Sequence, residues 1–431
     1  LRKEKPIAES TKGLIQFLES APTSWHAVDL AQTLLQHAEF VRLHEEQRWQ
    51  LKAGHSYLVI RGGAIIAFRL PEQVISRLIL LAAHTDSPAL KVKPLGGMVK
   101  HGQKLLTLEP YGAPLLPSWL GRDLKLAGRI LLKRGKEIVE ELIETEDPIA
   151  FIPPLAFHLD REVETSGLKV HKQEHLVALL GLTDDEKCDP LQELLDNKVR
   201  PGDQIISFEL MLLPHQPPAL VGSSGEFVAS YRLDNLVSSY AALETIAHSQ
   251  NSSDTLQMVA LWDHEEIGSK SAVGASSPFL TEVLDRIGLH TKMDLEDRYR
   301  MRRHSLCISI DMAHAVHPGH EKKFDPKHEP LLGKGVVLKE SAAQKYSTDA
   351  AVAARLLDFC QRHQLPCQRF VPRGDTSSGS TVGPIIASEL GIPTLDLGAP
   401  QLSMHGAREL MATSDFDALL KLLSLLLTEG A

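Results

Sequence analysis

The chain is short of the features that would place it in several large classes. It has four cysteines, Cys188, Cys307, Cys360 and Cys367, in 431 residues, too few for a disulfide framework and fitting no CxxC zinc ribbon. No apolar run reaches the roughly 18–20 residues that span a bilayer, so no membrane partner is expected. Positive charge is in deficit: 46 Lys and Arg stand against 55 Asp and Glu, a net charge of -9 that disfavours a nucleic-acid groove. The loop "TSSGSTVGP" (376–384) lacks the Gly-Lys-Ser/Thr ending of a phosphate cradle, and no GxSxG nucleophile elbow occurs. The opening "LRKEKPIAESTKGLIQFLES" is basic but has no apolar signal core, which makes a cytoplasmic location the expectation.

What is present is an ordinary globular composition, long enough for two domains or for one with a large insertion. Helical spacing of apolar residues covers 7–20 and 26–39. "SYLVI" (56–60), "AIIAFRL" (64–70) and "RLILLAAHTD" (77–86) read as strands, the first two joined by a Gly62-Gly63 turn. From about residue 90 to 222 short strand-like pieces alternate with Gly and Pro turns; after 223 strands alternate with helices. This pattern predicts an α/β domain of three layers, residues 1–90 and 223–431, with a largely parallel sheet. A β-rich insertion, 91–222, interrupts it.

In open α/β sheets ligands bind beyond the carboxyl ends of strands. His84-Thr85-Asp86 follows one predicted strand, Asp263-His264-Glu265-Glu266 a second and Asp311 a third. His405 follows a fourth in "QLSMHGARE", and Asp234 stands where "YRLDN" enters a helix. Any one of these is most often a turn former or cap. Five on one rim form the imidazole and carboxylate set that zinc or a similar ion takes. Candidate ligands are therefore His84, Asp234, Glu266, Asp311 and His405, enough for two ions if Asp234 bridges them. Asp86, two residues from His84, faces the same way in extended chain and can fix the imidazole tautomer. Neighbouring side chains diverge, so Glu266 is read as a ligand and Glu265 as the base that takes a proton from water. His314 is a candidate for steadying an oxyanion.

"HTDSP" (84–88), "RLDN" (232–235), "WDHEEIGS" (262–269), "DMAHAVHP" (311–318), "GSTVGPI" (379–385) and "PQLSMHGARE" (400–409) resemble the aspartyl aminopeptidase and vacuolar aminopeptidase I family. The resemblance runs from "PTSWHAV" to the C-terminal helix. It implies a zinc exopeptidase-like fold, a two-metal centre of zinc, or of manganese or cobalt, and removal of one N-terminal residue from peptides with a free amine. In the pairing it implies, His84 and Asp311 hold one ion, Glu266 and His405 the other, and Asp234 both, with Glu265 as base. It also implies self-association through the insertion into a tetrahedral homododecamer, with His158 of "IPPLAFHLDRE" reaching a neighbouring subunit's site. Lys339 is implied to pair with an acidic substrate side chain, giving a preference for N-terminal Asp or Glu. The chain departs from many relatives at Glu340-Ser341 and at Gly406. Alternatives are a Leu-like preference, a related two-metal deacylase or carboxypeptidase, and a non-catalytic shell-forming scaffold.

Overall fold

A computed structural model describes residues 8–376 and 378–429; the first seven residues of the basic opening stretch and Ser377 of the 376–384 loop lie outside the described residues. The chain divides into two units. Unit 1 comprises Leu1–Asp86, Pro218–Met404 and Glu409–Ala431, and unit 2 comprises Ser87–Pro217 with His405–Arg408. Unit 2 thus begins and ends a few residues before the expected 91–222. The reason is strand pairing: Ala89 already pairs with Tyr111, whereas Ala219–Val221 pairs with Phe227–Ser230 of unit 1.

Unit 1 is built on nine strands: β1 (Val41–Leu43), β2 (Ser56–Arg61), β3 (Ala64–Arg69), β4 (Arg77–His84), β5 (Thr255–Trp262), β6 (Leu306–Ile310), β7 (Val336–Lys339), β8 (Cys367–Phe370) and β9 (Thr394–Gly398). Their order is β1-β2-β3-β5-β4-β6-β9-β7-β8. The central run β5-β4-β6-β9 is parallel, as expected of buried apolar strands. The sheet as a whole is mixed. The turn at Gly62-Gly63 reverses β3, which runs antiparallel to both β2 and β5, and β7 runs antiparallel to β9.

Side chains alternate across this sheet and divide the apolar core in two. Ile79, Leu81 and Ala83 of β4 join Val259 and Leu261 of β5 on one face. Leu78, Leu80 and Ala82 join Met258 and Ala260 on the other. Helices Glu9–Ser20, Ser24–His37, Leu233–His248, Ala350–Arg362 and Thr413–Glu429 contribute apolar side chains to the first core. Phe279–His290, Leu295–His304 and Gly383–Leu390 contribute to the second. Three layers result.

A five-stranded sheet in the same unit runs in the order Ala219–Val221, Phe227–Ser230, Glu409–Ala412, Pro400–Leu402, Ala313–His314. Unit 2 holds seven strands. Gln204–Pro214 pairs with Ala89–Lys100 on one side and with Asp123–Arg134 on the other, so the sheet closes into a barrel. Gly128 permits that closure, since a Cβ there would lie 2.0 Å from the Glu209 carbonyl oxygen. Among the described residues no helix is long and apolar enough to cross a membrane.

Candidate active site

The parallel register carries the chemistry to one level. Trp262 pairs with His84, so β5 and β4 end side by side. Ser309 of β6 pairs with Ala82, which brings Asp311, two residues on, out beside His84. Asp234 arrives from a bend: its φ of -80° and ψ of 106° are non-helical within Leu233–His248. Four hydrogen bonds fix that bend. The buried Arg232, left-handed at φ 69°, donates from its guanidinium to the carbonyls of Ala21 and Thr85. Asn235 Nδ2 donates to the Ile310 carbonyl (2.9 Å), and the Asp234 N–H donates to Glu409 Oε2 (3.1 Å).

The imidazole of His84, 2% exposed, is the hub. Its Nε2 faces Asp234 Oδ1 at 3.5 Å, Asp311 Oδ1 at 3.7 Å and Glu265 Oε2 at 3.9 Å. His84, Asp234 and Asp311 each offer a donor atom within 4.8 Å of the others, and so do His84, Glu265 and Glu266. Two ligands bound at about 2.1 Å to a tetrahedral zinc stand about 3.4 Å apart. The separations to Asp234 and Asp311 match that spacing better than they match a direct hydrogen bond. The residues present therefore fit a divalent ion, with Glu265 set farther off.

Electrostatics point the same way. Burial pushes the Glu265 carboxyl up to about 8; His84 pulls it down, while Asp311, Asp86 and Asp234 add to the rise. Burial, then Asp234, drives Glu266 well above the usual carboxylate range. For Asp311 burial is outweighed by Lys339 and His84, which hold it below that range. Burial would pull His84 down, but its contacts with Asp311 and Asp86 raise it instead. Packed anions of this kind suit a site that receives cationic charge.

Asp86 does more than orient an imidazole. His84 Nδ1 lies 3.1 Å from the Asp86 carbonyl oxygen and 3.3 Å from its Oδ1. The same carboxylate accepts the backbone N–H of Glu265 at Oδ1 and of Glu266 at Oδ2, both at 3.1 Å. One buried group thus holds the imidazole and the Glu265–Ile267 turn together. Asp86→Ala is expected to weaken metal binding by about 10–100-fold, the usual cost of losing a group that orients ligands; zinc titration with a competing chelator measures it.

Lys339, at the end of β7, is 2% exposed rather than solvated. Its Nζ donates to Asp311 Oδ2 (3.3 Å) and the Met312 carbonyl (3.2 Å) and sits 5.2 Å from the Tyr346 ring centroid. Glu340 is engaged by Arg369, whose Nε and Nη2 donate to its two oxygens at 2.7 and 2.8 Å. His314 is exposed, its ring edge-on to Phe370 at 6.3 Å. His405 and His158 fall in unit 2. There His405 Nδ1 lies 3.1 Å from the Ala113 carbonyl. His158 occupies an exposed turn, Phe157–Leu159, against the Phe157 ring.

Two side chains that position the cluster, Glu409 and Arg232, escaped the sequence reading, and Asp263 was read only as a member of the rim. Glu409 and Arg232 were visible inside "GARE" and "RLDN", but their work is done on distant backbone. Asp263 is buried and accepts from Ser24 Oγ (3.0 Å) and the His264 N–H (2.9 Å). Burial, then Asp86, pushes it up to about 6. A Cβ on Gly63 would lie 2.1 Å from Asp263 Oδ2, which accounts for that glycine.

A buried His-Asp-Glu cluster at the carboxyl ends of parallel strands, in a three-layer α/β unit, defines a metal-dependent hydrolase. Residues 17–426 match the family model described as aminopeptidase I zinc metalloprotease (M18), and the chain belongs to that family. It is similar to the probable aspartyl aminopeptidase of Ricinus communis, 36% identical over 93% of this chain and 91% of the relative. It is also similar to the probable M18 family aminopeptidase 2 of Streptomyces coelicolor, 39% identical over 94% of each. Among solved structures, Ape4 in its complex with Nbr1 superposes with a TM-score of 0.92 at 33% identity, covering 97% of this chain and 85% of that one. The S. cerevisiae mApe1 dodecamer gives a TM-score of 0.85 at 27% identity, covering 97% and 96%. The chain is a metallo-aminopeptidase acting on peptides.

Proposed function

We propose that the chain removes single N-terminal residues with a preference for Asp and Glu, that it holds two divalent ions, and that it works as a homododecamer. The observation that carries the preference is Lys339: a buried ammonium 3.3 Å from Asp311 Oδ2, at the margin of the metal cluster. Exchanging that oxygen for a substrate's side-chain carboxylate is a short move for the ammonium group. The bidentate Arg369 contact occupies Glu340, the acid next to Lys339 in sequence.

His84, Asp234, Glu266, Asp311 and His405 are the residues that would hold these ions. Zinc is the first choice, as the family's description suggests, with manganese or cobalt as substitutes. When bound, the ions supply Lewis acidity toward water and the scissile carbonyl. Glu265 takes the proton from the attacking water at a carboxylate oxygen and delivers it to the leaving amine nitrogen. Asp86 keeps that carboxylate in register with the ligands through the two backbone N–H groups it accepts. His314, at the exposed end of Ala313–His314, donates toward the oxyanion.

A panel of Asp-, Glu- and Leu-amides, free and N-acetylated, tests the reading. Asp- and Glu-amides are expected to be cleaved at least about tenfold more efficiently than Leu-amide, the discrimination of one charged contact. Equal or Leu-favoured rates refute the acidic preference, and cleavage that survives acetylation favours a deacylase. Lys339→Met, which also removes the cation beside Asp311, is expected to lower kcat/KM for the acidic amides by more than for Leu-amide.

For the assembly, the support is an exposed apolar set around His158: Leu155 at 62%, Phe157 at 44% and Leu159 at 75% exposure. A face of this kind on the β-rich unit suits a second copy of the chain, whose site His158 would enter. The joint variant Leu155→Asp, Leu159→Asp is expected to sediment as a smaller species than the parent; an unchanged profile shows that this turn is not at an interface.

A further inference from the structure

The connection from β7 to the helix Ala350–Arg362 runs along the surface and then turns inward. Residues 342–345 are exposed, whereas Tyr346 and Thr348 are buried. One carboxylate accounts for the turn. Asp396, in the middle of β9 and 0% exposed, accepts the Ser347 N–H at Oδ2 (2.5 Å), and its own N–H donates to Thr348 Oγ1 (2.9 Å). At Oδ1 it accepts the Thr381 hydroxyl (2.5 Å), from the loop that leads into the helix Gly383–Leu390. A Cβ on Gly383 would lie 2.6 Å from both carboxylate oxygens, so that helix start closes over the group as well. Ser380 Oγ, which donates to the Lys345 carbonyl (3.2 Å), ties the two loops a second time.

Strand register places this hub beside Lys339. Asp396 and Lys339 are partners across the antiparallel β9–β7 ladder, and such partners face the same side of a sheet. They do not bond each other: the ammonium is taken by Asp311 and the Met312 carbonyl, the carboxylate by Ser347 and Thr381. Burial raises the Asp396 carboxyl and Lys339 opposes the rise. What the carboxylate fixes is the residue next to Ser347. Tyr346 has its ring 5.2 Å from the Lys339 ammonium and packs with Ala313, Val337 and Phe370. An aromatic face attracts an ammonium without neutralising it, so the ring holds the Lys339 head in place and leaves its charge for a second partner.

We propose that Asp396 is a positioning residue for the pocket that receives the substrate's N-terminal side chain. It touches no substrate. It pins Ser347 and Thr381, and through Ser347 it keeps Tyr346 against the Lys339 ammonium. The proposal rests on the reading of Lys339 as the group that meets that side chain. The work of Asp396 is geometric, so its hydrogen bonds should matter and its charge should not. Asp396→Asn still offers an oxygen to the Ser347 N–H and an amide N–H to the Thr381 oxygen. Asp396→Ala offers neither.

The test takes the zinc-loaded, full-length protein and measures kcat, KM and bound zinc with Asp-, Glu- and Leu-amides. Asp396→Ala is expected to raise KM for the amide the parent favours by about tenfold, with kcat and bound zinc within about twofold of the parent. Asp396→Asn is expected to stay within about twofold in KM, a rescue that a requirement for charge would not allow. Amide hydrogen exchange at residues 345–348 should quicken in Asp396→Ala and not in Asp396→Asn. Thr381→Val, which removes one bond and keeps the carboxylate, should raise KM in the same direction, and it serves where Asp396→Ala does not fold. The ranking of amides by the parent tests the reading of Lys339, whereas the change from parent to variant tests Asp396, so the two fail separately. KM unchanged in both Asp396→Ala and Thr381→Val overturns the proposal. So does an Asp396→Asn variant as impaired as Asp396→Ala, or a loss that falls on kcat equally for every amide.

Discussion

Glu265→Gln is expected to bind as much metal as the parent and to lose about 10²–10⁴-fold in kcat, the range set by removing a general base. Glu265 Oε2 is 3.9 Å from His84 Nε2, farther than the oxygens of Asp234 and Asp311. Its backbone N–H is fastened to Asp86 whatever side chain follows. Glutamine keeps the shape and cannot take a proton, so the loss should fall on kcat with KM nearly unchanged. Metal counted by elemental analysis alongside steady-state kinetics decides it. Loss of an ion in this variant would make Glu265 a ligand and dissolve the division of labour between the two glutamates.

Asp234→Asn is the second large effect. Its Oδ1 is the nearest carboxylate oxygen to His84 Nε2, and it is a member of the His84-Asp234-Asp311 set. An amide is a far weaker ligand than a carboxylate, so bound metal is expected to fall below one ion per chain and turnover to be abolished. The metal-free forms carry a second, opposite expectation. After burial, Asp234 is what pushes Glu266 up, a sign of repulsion between two buried anions. Removing that charge should therefore make the metal-free variant melt above the metal-free parent, by about 1 °C for a gain of roughly 1 kcal/mol. Differential scanning calorimetry with and without chelator reads both signs. A metal-free variant that melts lower would show that the Asp234 backbone bend, rather than charge, governs this part of the site.

Much of the site was legible because the physics that hides a strand also marks its end. "LILLAA" and "TLQMVALW" are apolar on both faces, as central parallel strands must be, so His84 and Asp263 to Glu266 could be set on one rim without coordinates. Asp311 followed from the same rule. What the sequence could not carry were partnerships made across long stretches of chain. Glu409 meets the Asp234 N–H across 175 residues and Arg232 meets the Ala21 carbonyl across 211, and neither leaves a local pattern. The barrel of unit 2 was equally hidden, since closure depends on Gln204–Pro214 finding Asp123–Arg134 and on the missing side chain at Gly128. The reversal of β3 was signalled only by Gly62-Gly63, and β7 gave no sign of its direction. For Lys339 the residue type was readable but its setting was not: a strand-end lysine is ordinarily solvated, and this one is sealed against Asp311.

The way Asp86 grips the glutamate doublet has a consequence for how such a chain can change. It fastens the peptide units of residues 265 and 266, not their carboxylates, so the placement of the doublet is independent of what either side chain is. A change of side chain at position 265 leaves the bond from the Glu266 N–H to Asp86 available. On the proposed roles, proton transfer and metal retention would then be separately heritable traits. On those roles, a single codon change at position 265 would separate an enzyme from a protein that keeps its ions and its shape while doing no chemistry, and a screen scoring metal content alone would not tell the two apart.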